Sequence, residues 1–101
     1  MISINKNRKS MIIKEFLESP LTAQQQEKLR KYMDVKYPES TVFERAIFEK
    51  GMLAQEKLND NTMDYCFMRA VKGLRLNGKG YAIMRKYFEL GAQADKSQIL
   101  G

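Results

Sequence analysis

The sequence contains no histidine, one cysteine and only two prolines in 101 residues. Without histidine, the chain lacks the commonest general base, the base of Ser-His and Cys-His nucleophile pairs, and the commonest metal ligand. Its acidic residues show no paired-carboxylate spacing, and neither GxxxxGK[ST] nor GxGxxG occurs. We therefore predict no catalytic residue, no metal, no cofactor and no small-molecule substrate, and we expect the protein not to be an enzyme.

Long apolar runs are also missing. No stretch approaches the roughly 18–20 apolar residues that span a bilayer, and the N-terminal MISINKNRKS lacks the apolar core of a secretory signal. The single cysteine, Cys66, has no partner for an internal disulfide. We expect a cytoplasmic protein that does not enter a membrane.

The scarcity of proline and glycine (two and six residues), together with abundant Lys, Glu, Gln, Leu, Met and Ala, favours helix over sheet. The length suits one domain. We predict a fold that is all-α or nearly so, with four to five short helices around a central long helix at about residues 41–58. Residues 1–10 are expected to form a flexible basic arm, 11–91 a single helical domain and 92–101 a flexible tail.

Two capping boxes mark helix starts. Thr22 with Gln25, and Thr41 with Glu44, have the spacing in which the two side chains cap each other's backbone N–H groups. The first of these helices should run to about Val35. Residues 11–19 (MIIKEFLES) fit either a short helix or a short N-terminal strand, because so few residues show no decisive periodicity.

The central helix carries apolar residues on three sides. Phe48 and Met52 point away from the other apolar positions, which form two further strips. A monomeric surface helix should not be apolar all round, so we expect several neighbours to cover it and predict a homodimer. The two strips are Val42, Ala46, Leu53 and Phe43, Ile47, Ala54, Leu58.

The net charge of +6 can be assigned to residues 65–88, which contain six basic residues and no acidic one, while charges in the rest of the chain cancel. We call this segment the basic hairpin. Its pattern predicts a helix from Met63 to Leu76, a stop at Asn77-Gly78 and a last helix from Tyr81 to Leu90 that ends at Gly91.

A basic segment of this kind favours a polyanionic partner. Nucleic-acid phosphates are the first candidate, since Lys and Arg would displace condensed counterions there. The alternatives are a basic face that serves solubility, and a helical adaptor or inhibitor that docks on an acidic protein surface with Phe48 and Met52 as its anchor. The predicted nucleic-acid-binding residues are Arg69, Lys72, Arg75, Lys79, Tyr81, Arg85 and Lys86 of the hairpin and Lys6, Arg8 and Lys9 of the arm.

Residues 10–58 also show a recognisable order: a short apolar run, a helix at LTAQQQEKLRKYM, a connector and then PESTVFERAIFEKGM. This order resembles the ribbon-helix-helix DNA-binding proteins, including small plasmid or phage regulators and plasmid-transfer accessory proteins. The resemblance implies a dimer that inserts two strands into the major groove and holds a phosphate on the backbone around Ser40 and Thr41. It implies a role in transcription regulation or a related accessory process.

The strand position departs from that family. It reads KEFLESPL here, where the family alternates apolar residues with polar residues that read the groove. Glu15 and Glu18 would oppose the negative charge of DNA. No base-reading residue is therefore carried over from the resemblance.

Overall fold

The computed structural model of the chain describes residues 12–59 and 61–101, and most of these residues are helical. The all-helical prediction is confirmed for this part of the chain, which contains no strand. Residues 12–17, within the ambiguous segment 11–19, form helix α1. The later elements are α2 (Ala23–Lys36), α3 (Val42–Ala54), a 3-10 turn (Gln55–Lys57), α4 (Met63–Ala70), α5 (Gly78–Gln93) and α6 (Lys96–Leu100).

Both capping boxes form as the sequence predicts. The Gln25 N–H donates to Thr22 Oγ1 at 3.2 Å, and the Thr22 N–H donates to Gln25 Oε1 at 3.0 Å. The second box pairs Thr41 with Glu44 through bonds of 3.2 and 2.7 Å. Each box satisfies N–H groups that the first turn of a helix leaves unpaired, and so fixes where α2 and α3 begin.

Helix α3 lies at the centre of the core. Ile47, Phe48 and Met52 are completely buried, and the Phe48 ring lies 6.0 Å from the rings of both Tyr32 and Tyr37. The expectation that several neighbours cover this helix is therefore confirmed. The side that carries Phe48 and Met52 is covered by the same chain, so burying it does not require a second subunit.

The same helix buries one carboxyl group. Glu49 is only 9% exposed. Burial raises the pKa of its carboxyl above the ordinary value, although a hydrogen bond from Ser19 and the charge of Lys50 act in the opposite direction.

Helices α3 and α5 touch through their backbones at a pair of glycines. A Cβ atom on Gly51 would lie 2.1 Å from the Phe88 carbonyl oxygen, and one on Gly91 would lie 2.0 Å from the Phe48 carbonyl oxygen. Neither position has room for any side chain. Gly91 therefore lies inside α5, where it permits close packing, and does not end the helix as the sequence suggested.

Helical structure extends into residues 92–101, for which the sequence predicts a flexible tail. Helix α5 continues to Gln93, and α6 follows after Asp95, whose side chain accepts a hydrogen bond from the Gln98 N–H at 3.3 Å. Ile99 is buried, and Lys28 Nζ donates to the Leu100 carbonyl oxygen at 3.3 Å. The segment has too few apolar residues to show a helical period, so its docking on α2 was not visible in the sequence.

No helix within residues 12–59 and 61–101 combines the length and the apolar character needed to cross a membrane. The expected arm, residues 1–10, lies outside the described residues.

We predict that Gly51→Ala or Gly91→Ala lowers the free energy of unfolding by about 3 kcal/mol or more, because a methyl group at either position overlaps a backbone carbonyl. Chemical denaturation followed by circular dichroism measures the change. Gly78→Ala is the matched control: its Cβ would meet nothing within 4 Å, so it should leave stability unchanged or raise it slightly. Near-wild-type stability of both core variants would contradict the close crossing.

Candidate functional site

The first helix of the basic hairpin is shorter than its sequence pattern suggests. Helix α4 ends at Ala70, where the pattern predicted a helix to Leu76. Gly73 has a φ of +88°, a left-handed conformation that glycine adopts without strain, and Ile12 of α1 packs directly over it. The apolar pattern continues past Ala70 because Val71 is still buried after the helix has ended.

Asn77 and Gly78 begin α5 and do not terminate α4, which corrects the prediction. The Asn77 side chain accepts a hydrogen bond from the Gly80 N–H at 2.7 Å, the arrangement of a helix N-cap. Asparagine followed by glycine suits either end of a helix, so the sequence alone did not distinguish the two. Residues 71–77 are consequently a linker, and Lys79 lies in the first turn of α5.

Tyr81, one of the predicted nucleic-acid-binding residues, lies in α5. Its ring is half-buried and meets the Phe67 ring edge-on, with centroids 6.3 Å apart. Its contact with Phe67 makes it part of the packing between α4 and α5.

Four of the predicted cations are exposed along the end of α4, the linker and the first turn of α5. We call this set, Arg69, Lys72, Arg75 and Lys79, the basic turn. In the part of the chain that the structure describes, none of the four forms an ion pair. Arg69 Nη1 donates a hydrogen bond of 3.2 Å to the Tyr65 hydroxyl, and both residues are exposed. Among the described residues, the basic turn therefore presents four cations to solvent without a direct ion-pair partner.

Arg85, one of the predicted nucleic-acid-binding residues, has partners within the chain. Its guanidinium pairs with Asp64 at 2.7 Å and with Glu89 at 3.4 Å, and it lies 5.3 Å from the centre of the Phe67 ring. The contacts with Asp64 and Phe67 hold α5 against α4, whereas the pair with Glu89 lies within α5. Lys86 is exposed, with its ammonium 5.8 Å from the centre of the Tyr87 ring.

An open groove of about 460 Å³ lies beside the basic turn, between α1, α3 and the end of α4. Its apolar floor includes Ile12, Phe16 and Ala70, and its cations are Lys50, Arg69 and Lys72. Glu15 adds one carboxylate. We call this the α1–α4 groove.

Of the three cations in the groove, Lys50 is the one that the sequence analysis did not predict as a binding residue. Its ammonium lies 5.2 Å from the centre of the buried Phe16 ring. The available signal was its position between two apolar strips of the central helix. A lysine there extends its stem along apolar surface and brings its charge to the edge of the core.

Ser40 and Thr41 have internal partners. Ser40 Oγ donates to the Tyr37 carbonyl oxygen at 2.6 Å and accepts from Arg45 Nε at 2.8 Å. The Thr41 N–H donates to the Glu44 carboxylate. The Thr41 N–H, part of the backbone to which the resemblance assigns a phosphate, thus donates to a carboxylate. The other predicted site residues, Lys6, Arg8 and Lys9, lie outside the described residues.

Comparison of the chain with protein-family models, with curated proteins and with solved structures finds no match. Among the described residues, no three cysteine, aspartate or glutamate side chains are grouped so that they could hold a metal ion.

We predict that Arg85→Ala lowers the free energy of unfolding by about 1–2 kcal/mol, because it removes two ion pairs and a cation–π contact at a partly buried site. Thermal unfolding followed by circular dichroism measures this. Lys86→Ala removes the same charge from a neighbouring exposed position and should change stability by less than about 0.5 kcal/mol. Equal losses in the two variants would show that Arg85 has no special role between α4 and α5.

Proposed function

We propose that this protein binds nucleic acid, with DNA the expected partner, in a regulatory or accessory role. The basic turn contacts the phosphates. One observation carries the proposal. The four cations of the basic turn are exposed and have no ion-pair partner among the described residues, and the segment between the first and the last of them contains no acidic residue. Phosphate contacts of this kind release counterions and supply most of the affinity of non-specific nucleic-acid binding.

Arginines elsewhere in the chain support this interpretation by contrast. Arg30 on α2 pairs with both Glu27 and Asp34, and Arg45 on α3 pairs with Asp34 at 2.6 Å. These charges are compensated locally. A basic face that served only solubility would be expected to mix both signs in the same way.

The position of Lys79 also favours an anionic ligand. It occupies the first turn of α5, which has no acidic residue, and the helix dipole disfavours a cation there. The first turn of a helix also leaves N–H groups without partners inside the helix. A phosphate bound beside Lys79 would satisfy such N–H groups and offset the unfavourable charge.

The proposed contact does not use a β-ribbon. Residues 12–17, at the strand position of the ribbon-helix-helix resemblance, are helical, and the Thr41 N–H is bonded to Glu44. The alternative adaptor was expected to anchor through Phe48 and Met52, which are fully buried. These two side chains are therefore not available as a surface anchor for a partner protein.

We predict that the triple variant Arg69/Lys72/Arg75→Ala loses most of its affinity for nucleic acid at low salt. Removal of three phosphate contacts should also make the slope of log K against log salt shallower by roughly 2 to 3. Fluorescence anisotropy with labelled 20-nucleotide single-stranded and duplex DNA, at several salt concentrations, measures both quantities.

The matched control is Lys31/Lys36/Lys57→Ala, which removes the same net charge from exposed positions on α2 and the 3-10 turn. It should keep most of the affinity and nearly all of the slope. Equal losses in the two triple variants would indicate attraction by net charge alone. No binding of the folded wild-type protein to any nucleic acid at low salt would refute the proposed function.

A further inference from the structure

Apolar and aromatic side chains lie beside the cations on the outer face of α4. Tyr65 is 62% exposed and Met68 is 52% exposed. The guanidinium of Arg69 lies 5.7 Å from the centre of the Tyr65 ring and donates to the Tyr65 hydroxyl. These contacts favour one orientation of an aromatic ring that remains accessible to solvent.

If the protein contacted only the phosphates of a duplex, the exposed Tyr65 ring would contribute little to binding. In a duplex the flat faces of the bases are covered by their neighbours, so an exposed tyrosine would meet only charged backbone. In a single strand the bases can unstack and lie against an aromatic ring while cations follow the phosphates. An exposed aromatic ring one helical turn from an arginine therefore suits the binding of a single strand.

The α1–α4 groove also combines apolar surface with cations, and it shares Arg69 and Lys72 with the basic turn. It is an open groove with a volume of about 460 Å³, so a ligand there would keep part of its surface in solvent. An apolar floor with three cations suits a ligand that joins a flat, weakly polar body to an anionic group, as a nucleotide does. Glu15 repels the anionic group, so the phosphate should lie toward Lys50, Arg69 and Lys72.

We propose that the protein binds single-stranded nucleic acid in preference to duplex. One unstacked base lies against Tyr65, a neighbouring nucleotide occupies the α1–α4 groove, and the phosphates follow the basic turn. This inference rests on the proposed function and adds the class of ligand. Nothing in the site distinguishes deoxyribose from ribose, so the ligand is defined by its unpaired bases and its phosphates.

The test compares five labelled probes of 12 nucleotides or 12 base pairs by fluorescence anisotropy at one fixed low salt concentration. They are single-stranded DNA, RNA of the same sequence, the DNA duplex, the RNA duplex, and a DNA strand whose central residues are abasic. The abasic strand keeps every phosphate but lacks the bases at its centre. We expect the two complete single strands to bind at least 10-fold more tightly than the duplexes or the abasic strand.

Two pairs of variants locate the contacts. Tyr65→Ala should weaken binding of the complete single strands by about 5- to 100-fold, the range expected when one base loses an aromatic partner, and should leave duplex and abasic binding nearly unchanged. Tyr65→Phe keeps the ring and should retain most of the affinity. Lys50→Gln should weaken single-strand binding several-fold more than Lys57→Gln, which lies on the adjoining 3-10 turn.

The outcomes separate the two proposals. Duplex binding as tight as single-strand binding, or equal binding of the abasic and complete strands, would overturn this inference and leave phosphate binding by the basic turn intact. Unchanged single-strand affinity in Tyr65→Ala, or in Lys50→Gln, would also overturn it as stated. Absence of binding to all five probes would overturn the proposed function as well. A difference between the DNA and RNA strands identifies which nucleic acid is preferred.

Discussion

The close crossing of α3 and α5 at Gly51 and Gly91 sets the geometry of the core. Because the two backbones touch, Phe48 and Phe88 on either side of the contact are almost completely buried. Phe88 in turn meets Phe67 of α4, with ring centroids 5.6 Å apart. The chain from α4 to α5 is thereby fixed on the core at both ends, and the linker between them projects its cations outward. The position of the proposed binding surface thus depends on two glycines that carry no charge.

The electrostatic pattern follows from which cations the fold itself uses. Arg85 joins α5 to α4 through Asp64, and Arg30 and Arg45 are both paired with Asp34 of α2. The cations of the basic turn have no such role among the described residues. A local excess of positive charge repels itself and weakly destabilises the compact state. Its presence beside an exposed tyrosine is more easily explained by a ligand than by folding.

Much of the fold could be predicted from local sequence signals, because capping boxes and helical periodicity depend on residues a few positions apart. The starts of α2 and α3 and the burial of the central helix are examples. The features that could not be predicted depend on distant contacts. In the sequence, nothing marks Gly51 as a contact position, because its role depends on the approach of the Phe88 backbone from α5. The same holds for the candidate site. Its cations could be predicted from the local excess of positive charge in the sequence. The ion pairs of Arg85 and the position of Lys50 in the groove could not, because they depend on how the helices pack.

The most direct test of the proposed surface is a two-dimensional amide NMR titration of the wild-type protein with an unlabelled 12-nucleotide single-stranded DNA. The shifts should change most at residues 65–79 and around Lys50. They should change little on the outer face of α2 around Lys31 and Lys36, which is exposed and also carries positive charge. Changes that are confined to α2, or spread evenly over all exposed lysines and arginines, would contradict a defined nucleic-acid surface at the basic turn.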